Sequence, residues 1–482
     1  MKLKKFISIA LLCSVFGTFL FAQNSESSIA FEEESLAHSK LKKHYLGAAL
    51  GMTLTNCVIG SWNRYVCKAP WAQVELDDIK DPLKRPVEFD TDWYWTNFVL
   101  HPYQGGLYYL AARNSNLNIV ESMICTYAGS LMWEYLFETN LPSVNDLVYS
   151  GLAGMIPGEI LYRLGLEAQG RKNTFVSFVL NPERLLTDPL YGQKPAGPTN
   201  QLEEFSIKTG MGIAFANTWI GGPYSNKFEK FPFNAGLEVA ALYADPYGHD
   251  SMTPYSQFYF EFGGAGGPGS GEGATDAEQK IMYDVHIFSD GALFSWAPKW
   301  GGENCDTTIG FVCEYDFVWN SFMEFSSVAP GFAIRQRFKK DSGTFEYQTH
   351  LAAEILGTTD CYQIRRDLYR VPSGVTYRDY MYTTGGELVQ KFRYKMNNGL
   401  DFNWVIHGYA FYAYAKQRQE FIDDYGWSFF AFSDFSVEVP LNRWLSIGAS
   451  DEFYVKRSSY ATNLENYTSI WNNVNLYARF KF

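Results

Sequence analysis

The residue types able to do chemistry concentrate between positions 97 and 163. Asn97, His101, Arg113, Ser122, Ser130, Glu134, Glu138, Ser143, Asp146, Glu159 and Arg163 fall there within otherwise largely apolar sequence. A base, a hydroxyl and a carboxylate that orients the base are the parts of an acyl-transfer centre. His101 could serve as the base, Ser122 or Ser130 as the nucleophile, and Glu134 as the orienting group. Ser130 and Glu134 are four apart, as are Glu134 and Glu138, so each pair shares a helix face. No Gly-x-Ser-x-Gly turn surrounds either serine, and a mid-helix serine can return its hydroxyl to a backbone carbonyl. The same residues also have a packing account. A carboxylate in an apolar helix needs a cation, and Arg113 and Arg163 are the natural partners for Glu134 and Glu159. The packing account is the stronger of the two, which puts the balance against an enzyme. Histidines number seven, with no His-x-x-x-His pair, so no zinc set and no cofactor motif is legible.

Four helices must hold these groups, within a helical region expected over 35–170. The first starts near Ser35 and carries Gly47 and Gly51 at small-xxx-small spacing. The second follows His101 and has Pro102 at its first position. The third spans Ile119 to Glu138. Its stretch from Met123 to Trp133 has no charge, and a helix apolar all round is buried by protein or lipid. Ser143 to Asp146 resembles a capping box for the fourth. Pro157 should kink that helix, while Gly151, Gly154 and Gly158 permit close backbone approach. These helices pack tightly together, lie against a membrane, or plug a barrel. Residues 171–200, with Asn181-Pro182, Asp188-Pro189, Pro195 and Gly197-Pro198, read as an irregular connector.

Residues 201–482 read as strands. In the last twelve residues Val474, Leu476, Ala478, Phe480 and Phe482 share one face, and Asn473, Asn475, Tyr477, Arg479 and Lys481 the other. That period-two alternation suits a barrel wall with lipid outside and water inside. The same alternation recurs at 205–215 and 345–355, with similar segments between, giving about twelve strands. Arg335, Arg337, Lys391, Arg393, Lys395, Arg479 and Lys481 face the expected interior, as do Glu346, His350, Glu354 and Glu387. They would form a rigidifying network or a selective pore. The glycine run from Gly263 to Gly269 reads as a flexible loop.

The remaining features agree with export. Residues 1–22 have the basic start and apolar run of a secretory signal, with Ala22 before the cleavage point. Residues 23–34 are polar and acidic, a flexible mature N-terminus. Aromatic residues make up 17% of the 482, which suits the two interfacial girdles of a membrane barrel. Mean hydropathy is −0.20, which excludes a polytopic helical protein. A net charge of −12 argues against nucleic acid as a partner. Of seven cysteines, six follow the signal. Cys57 with Cys67, or Cys305 with Cys313, could form a disulfide or remain as thiols.

A family resemblance rests on several strings. His101-Pro102-Tyr103-Gln104-Gly105-Gly106 with Tyr108-Tyr109 and Ala112-Arg113 is the first. The second is Ser122, Gly129-Ser130 and Trp133-Glu134-Tyr135 with Glu138. The third is Pro142-Ser143, Asp146-Leu147, Gly154 and Gly158-Glu159. Asn181-Pro182 and Arg378-Asp379-Tyr380 match further positions. Together they resemble the bacterial domain of unknown function 3943, most strongly over the eighty residues from about 95. The resemblance implies a signal peptide, a helical portion and an outer-membrane-like barrel. It adds Arg378, Asp379 and Tyr380 to Arg113, Ser122, Glu138, Asp146, Glu159 and Arg163 as candidate binding residues.

The expected fold is therefore an α+β membrane protein: an antiparallel transmembrane barrel of about twelve strands over 201–482, preceded by an α-helical domain. The expected role is structural, or binding or passage of an envelope component. The helical domain would sit at the periplasmic mouth or in the lumen. Outer-membrane lipid and the outer-membrane assembly machinery would be its partners. A lipid hydrolase or acyltransferase using His101 and Ser130, and a diffusion channel, are the alternatives.

Overall fold

The computed structural model describes residues 41–79, 87–192, 201–221, 226–268, 281–300, 302–365, 378–414 and 424–482. The expected signal segment 1–22, the N-terminus 23–34 and the start of the first helix near Ser35 lie outside these residues.

Twelve strands pair antiparallel in chain order and close through β1 (Leu202–Ile220) and β12 (Tyr467–Lys481) into a barrel. Between them run β2 (Asn226–Tyr243), β3 (Phe258–Pro268), β4 (Ile281–Trp296), β5 (Cys305–Asn320) and β6 (Glu324–Lys340). They are followed by β7 (Gly343–Asp360), β8 (Tyr380–Met396), β9 (Asp401–Ala413), β10 (Gly426–Pro440) and β11 (Leu445–Tyr460). The expected fold class and strand number are those observed. The glycine run is a correction, because Gly263 to Pro268 belong to β3. A side chain at Gly263 would meet the His286 ring on β4, so this strand must be bare for its neighbour to fit.

Register fixes which side chains face out. One row of partners runs Phe480, Ile207, Val239, Phe262, Ile287, Phe317, Ser326, Thr358 and Tyr382, from β12 round through β1 to β8. The row beside it begins Arg479, Lys208, Glu238, Gly263 and His286, and faces the lumen. Outward apolar residues are bare over much of the wall: Leu476 is 71% exposed and Leu351 66%. A wall of this kind suits a hydrocarbon solvent, since large exposed apolar patches are avoided in water. The hairpins at the end that carries residues 202 and 481 include the tight turns 341–342, 397–400 and 441–444.

Among the described residues eight α-helices precede the barrel: α1 (Tyr45–Ser61), α2 (Leu76–Ile79), α3 (His101–Asn114), α4 (Ile119–Leu136), α5 (Val144–Val148), α6 (Gly154–Gly170), α7 (Thr174–Leu180) and α8 (Arg184–Tyr191). Asn118 and Glu121 form a reciprocal capping box for α4, and the Ser143 hydroxyl accepts the Asp146 N–H to cap α5. Pro157 lies in α6 just after a π-helical turn over Tyr149–Ala153. A proline cannot donate to the carbonyl four residues earlier, and the wider turn takes up that irregularity. Residues 174–191 of the expected connector form α7 and α8. The Asn173 side chain accepts the Val176 N–H at the start of α7, so the Asn181-Pro182 break separates two helices.

The helical domain meets the outside of the barrel through residues 89–98, the π-helical turn and α6. Tyr94 stacks on Phe317 with centroids 5.3 Å apart, and Phe98 packs edge-on to Tyr380 at 5.2 Å. Phe89 stacks on Tyr382 at 4.6 Å. Tyr149 donates to the Leu356 carbonyl (3.1 Å) and meets the Ser326 hydroxyl (2.9 Å). Every one of these barrel residues belongs to the outward set. At the other end of α6, Arg163 reaches the Pro254 carbonyl (3.4 Å), and Glu167 accepts the Leu202 N–H (3.3 Å). The helix thus runs along the wall from the loop end toward the end holding the barrel's termini. The sequence left three placements open for these helices, and their contacts are with outward strand residues.

All six described cysteines are thiols. Cys305 and Cys313 are on one strand, eight residues or roughly 27 Å apart. Cys57 and Cys67 lie ten residues apart along a continuous helical run, roughly 15 Å. Neither expected pair can close without rebuilding its element.

Candidate functional site

The helical residues singled out by type converge where α3, α4, α5 and the π-helical turn meet the outer wall of β8. His101 begins α3, and Asp146 and Ser150 follow each other at one helical turn. The His101 ring lies between them, with Nδ1 3.3 Å from Ser150 Oγ and Nε2 3.7 Å from Asp146 Oδ1. Gly105 makes this possible. A Cβ there would sit 1.9 Å from the Ser150 carbonyl oxygen. Gly154 faces the Gly105 backbone in the same crossing, so the paired glycines of the first motif let two helix backbones touch.

Around this core the partners differ from those the sequence suggested. Ser130 does not pair with His101, and its hydroxyl donates to the Asp146 carbonyl (3.3 Å). The serine on the imidazole is Ser150. Glu134 does not orient the imidazole, and accepts the Ser143 N–H (2.7 Å). Glu138 accepts the Trp133 indole N–H (2.5 Å). Ser122 is buried on the same face of α4 as Thr126 and Ser130. Arg113 and Arg163 both bind Glu159, each through Nε at 2.9 Å, and Tyr109 donates to it at 2.8 Å. The packing account therefore holds for Glu159, while Glu134 takes a backbone partner.

Asn97 of the sequence cluster completes the junction together with Asp90, Asn145 and Tyr382, which carried no motif. Asn145 donates to Asp146 Oδ1 (2.8 Å) and accepts the Asp90 N–H (3.1 Å). Asn97 donates to Asp90 Oδ1 and to the Tyr380 hydroxyl, both at 2.7 Å. The Tyr382 hydroxyl donates to Asp90 Oδ1 (3.2 Å), and that of Tyr380 to the Asp92 carbonyl (2.8 Å). Arg378 donates to the Asp90 carbonyl (2.6 Å) and lies 4.8 Å over the Tyr382 ring. The Asp379 carbonyl accepts the Cys361 N–H (2.6 Å). Arg378 and Tyr380 thus join barrel to helices, and Asp379 ties the β7–β8 connection to itself. Ser150 had a legible signal in its spacing, one turn after Asp146. Asp90 had none beyond its charge, because it sits in an extended segment.

Ser150, His101 and Asp146 carry the groups of an acyl-transfer set. Two features oppose that chemistry in this geometry. The His101–Asp146 contact exceeds hydrogen-bond reach, and Ser150 is only 2% exposed. What the cluster does plainly is satisfy buried polar groups between helices and wall.

The lumen forms a second polar region. Toward the end with the barrel's termini it opens as a cavity of about 560 Å³ lined by Arg335, Arg337, Lys391, Arg393 and Arg479, with Asp290 and Glu438 among the acids. Ion pairs line it: Arg335 and Lys391 reach Asp290 on β4, Arg337 meets Glu346 and Arg393 meets Asp401 on neighbouring strands, and Arg479 binds Glu438. Deeper in, Phe288 of β4 meets Phe432 of β10 at 5.3 Å between centroids. These strands are six apart in a ring of twelve, so the rings close the barrel across its diameter.

Residues 86–190 match the domain of unknown function DUF3943, and the chain carries that domain ahead of its barrel. No curated protein matches the chain. Solved structures with some likeness include the toluene transporter TodX of P. putida, at 8% identity and TM-score 0.27, covering 58% of this chain and 90% of that one. The outer-membrane protease OmpT of Escherichia coli gives 7% identity and TM-score 0.23, over 58% of this chain and 97% of its own. The transport unit of the E. coli autotransporter AIDA-I gives 8% and 0.25, over 61% and 95%. Likenesses this slight carry no argument about function.

Proposed function

We propose that this chain, which carries the DUF3943 domain, is an exported outer-membrane protein whose barrel anchors a helical layer within the apolar zone of the bilayer. Its role is structural, or binding of an envelope component at that layer. The observation that carries this reading is reversed polarity on the helices. In α1 the buried set is Gly47, Ala48, Gly51, Met52, Thr55, Asn56 and Gly60, while Leu46, Leu50, Leu54 and Val58 are exposed. In α4 Ser122, Thr126, Gly129, Ser130 and Glu134 are buried, while Ile124 and Leu131 are exposed. Small and polar residues between helices, with leucine facing out, is how helices pack in lipid. The wall around them is bare and apolar in the same way.

Lipid is then the partner of both surfaces, and the outer-membrane assembly machinery that of the barrel. The tight hairpins face the periplasm, as in other bacterial barrels. No described helix is long and apolar enough to cross a membrane. A hydrolase reading would need substrate to reach the covered hydroxyl of Ser150, and a channel reading would need a path past Phe288 and Phe432.

Outer-membrane fractions should contain the chain as a folded species that migrates faster on a gel before boiling than after. Recovery only from the soluble periplasm would overturn the proposal.

A further inference from the structure

We infer that the barrel holds a divalent metal ion deep in its lumen, on Glu314 and Asp316 of β5 and Glu387 of β8. One carboxylate oxygen from each lies within 4.8 Å of the other two. That spacing suits oxygen ligands placed about 2.4 Å from a shared cation, the range for calcium, with manganese and magnesium slightly closer. All three side chains are at least nine-tenths buried, and buried carboxylates are normally paired with a cation or a metal.

Among the described residues no lysine or arginine pairs with these three carboxylates. Arg335 and Lys391 are both bound to Asp290. The groups on the three carboxylates are neutral donors or imidazoles. His350 Nδ1 lies 2.7 Å from Glu314, the Tyr409 hydroxyl donates to Asp316 at 2.6 Å, and His407 Nδ1 is 3.4 Å from Asp316. Ser327 donates to Glu387 Oε2 at 2.7 Å. Each carboxylate is thus oriented by an outer partner, as metal-binding carboxylates are. The independent sign is Glu387 Oε1, which is buried in the cluster with no hydrogen-bond partner. It leaves a lone pair unused on one carboxylate of the group.

A second group, Glu238, Glu261 and His286, has the same spacing. There Lys208 binds Glu238, and His286 bridges Glu261 and Asp284, so its charge is already met. Oxygen donors without sulfur favour a hard cation, of the magnesium, calcium or manganese kind. His407 lines the open cavity and also touches Asp316, which places the site just behind the cavity floor.

The test uses the full chain, folded in detergent and checked by its boiling-sensitive gel migration. Manganese binding is followed by electron paramagnetic resonance, with magnesium and calcium as competitors. One tightly held manganese per chain is expected. Glu387→Gln should weaken it at least tenfold in a chain that still folds, and Glu238→Gln should leave it unchanged. A folded chain that binds none of the three ions, or equal binding in Glu387→Gln, would overturn the inference. So would loss in Glu238→Gln alone.

Discussion

Glu159→Ala is expected to release the helical layer while leaving the barrel closed. The carboxylate has no exposed surface and holds two guanidiniums, Arg113 and Arg163, that are themselves buried between α3 and α6. Tyr109 donates to it, and Arg113 also lies 4.4 Å over the Tyr162 ring. Removing the carboxylate leaves two like charges side by side with little water. Breaking a buried pair in this way costs about 3–5 kcal/mol, a large part of what holds a small domain together. The loss should appear as early proteolytic cleavage within 90–190 and a lower helical melting temperature, with normal gel migration of the barrel. Glu159→Gln retains the shape and two acceptor lone pairs, and should lose less. A change below about 1 kcal/mol in the alanine variant would mean the triad is not what joins α3 to α6.

The second large effect concerns passage through the lumen. Phe288, Phe432, Tyr454 and Trp471 form a run of rings at centroid spacings of 5.3, 4.5 and 4.8 Å, from β4 across to β10 and on to β12. Phe325 and Tyr409 add a second run beside Phe430, at 4.9 and 5.5 Å. In planar bilayers the unaltered chain should show no steady conductance. Phe432→Ala with Tyr454→Ala should open discrete current steps, at a stability cost of about 3–5 kcal/mol per ring removed. The barrel's closed hydrogen-bond ladder should keep the variant folded. Steady conductance in the unaltered chain, unchanged in the variant, would contradict closure by these rings.

Much of the barrel was legible because its period is two and each strand declares its own faces. Val474, Leu476 and Phe480 read as outward from sequence alone and are outward. The start of α5 was legible for a similar reason, since Ser143 acts on Asp146 within one turn. What was hidden depends on partners distant in the chain. Tyr380 and Tyr382 are outward residues with hydroxyls, odd for a lipid face, and only the contact with Asn97, Asp90 and Asp92 explains them. The glycines from Gly263 on have no face to read, so the second half of β3 emerges only from its pairing with β4. Arg113 and Arg163 had two carboxylates to choose from, and the helix crossing through Gly105 and Gly154 delivered both to Glu159. The aromatic closure joins residues from β4 to β12, a distance no local pattern reports.

The most direct test of the central claim is the accessibility of nitroxide labels in lipid bilayers, to oxygen and to a water-soluble relaxant. Labels would replace Leu351 on the bare wall, Val328 on the covered wall, Leu50 on the outer side of α1, and Ala333 in the lumen. Leu351 and Leu50 are expected to meet oxygen from the hydrocarbon. Val328, fully buried under Tyr149 and its neighbours, is expected to meet neither agent, and Ala333 no hydrocarbon. Equal oxygen exposure at Val328 and Leu351, or water at Leu50, would contradict a helical layer lying against the barrel within the membrane.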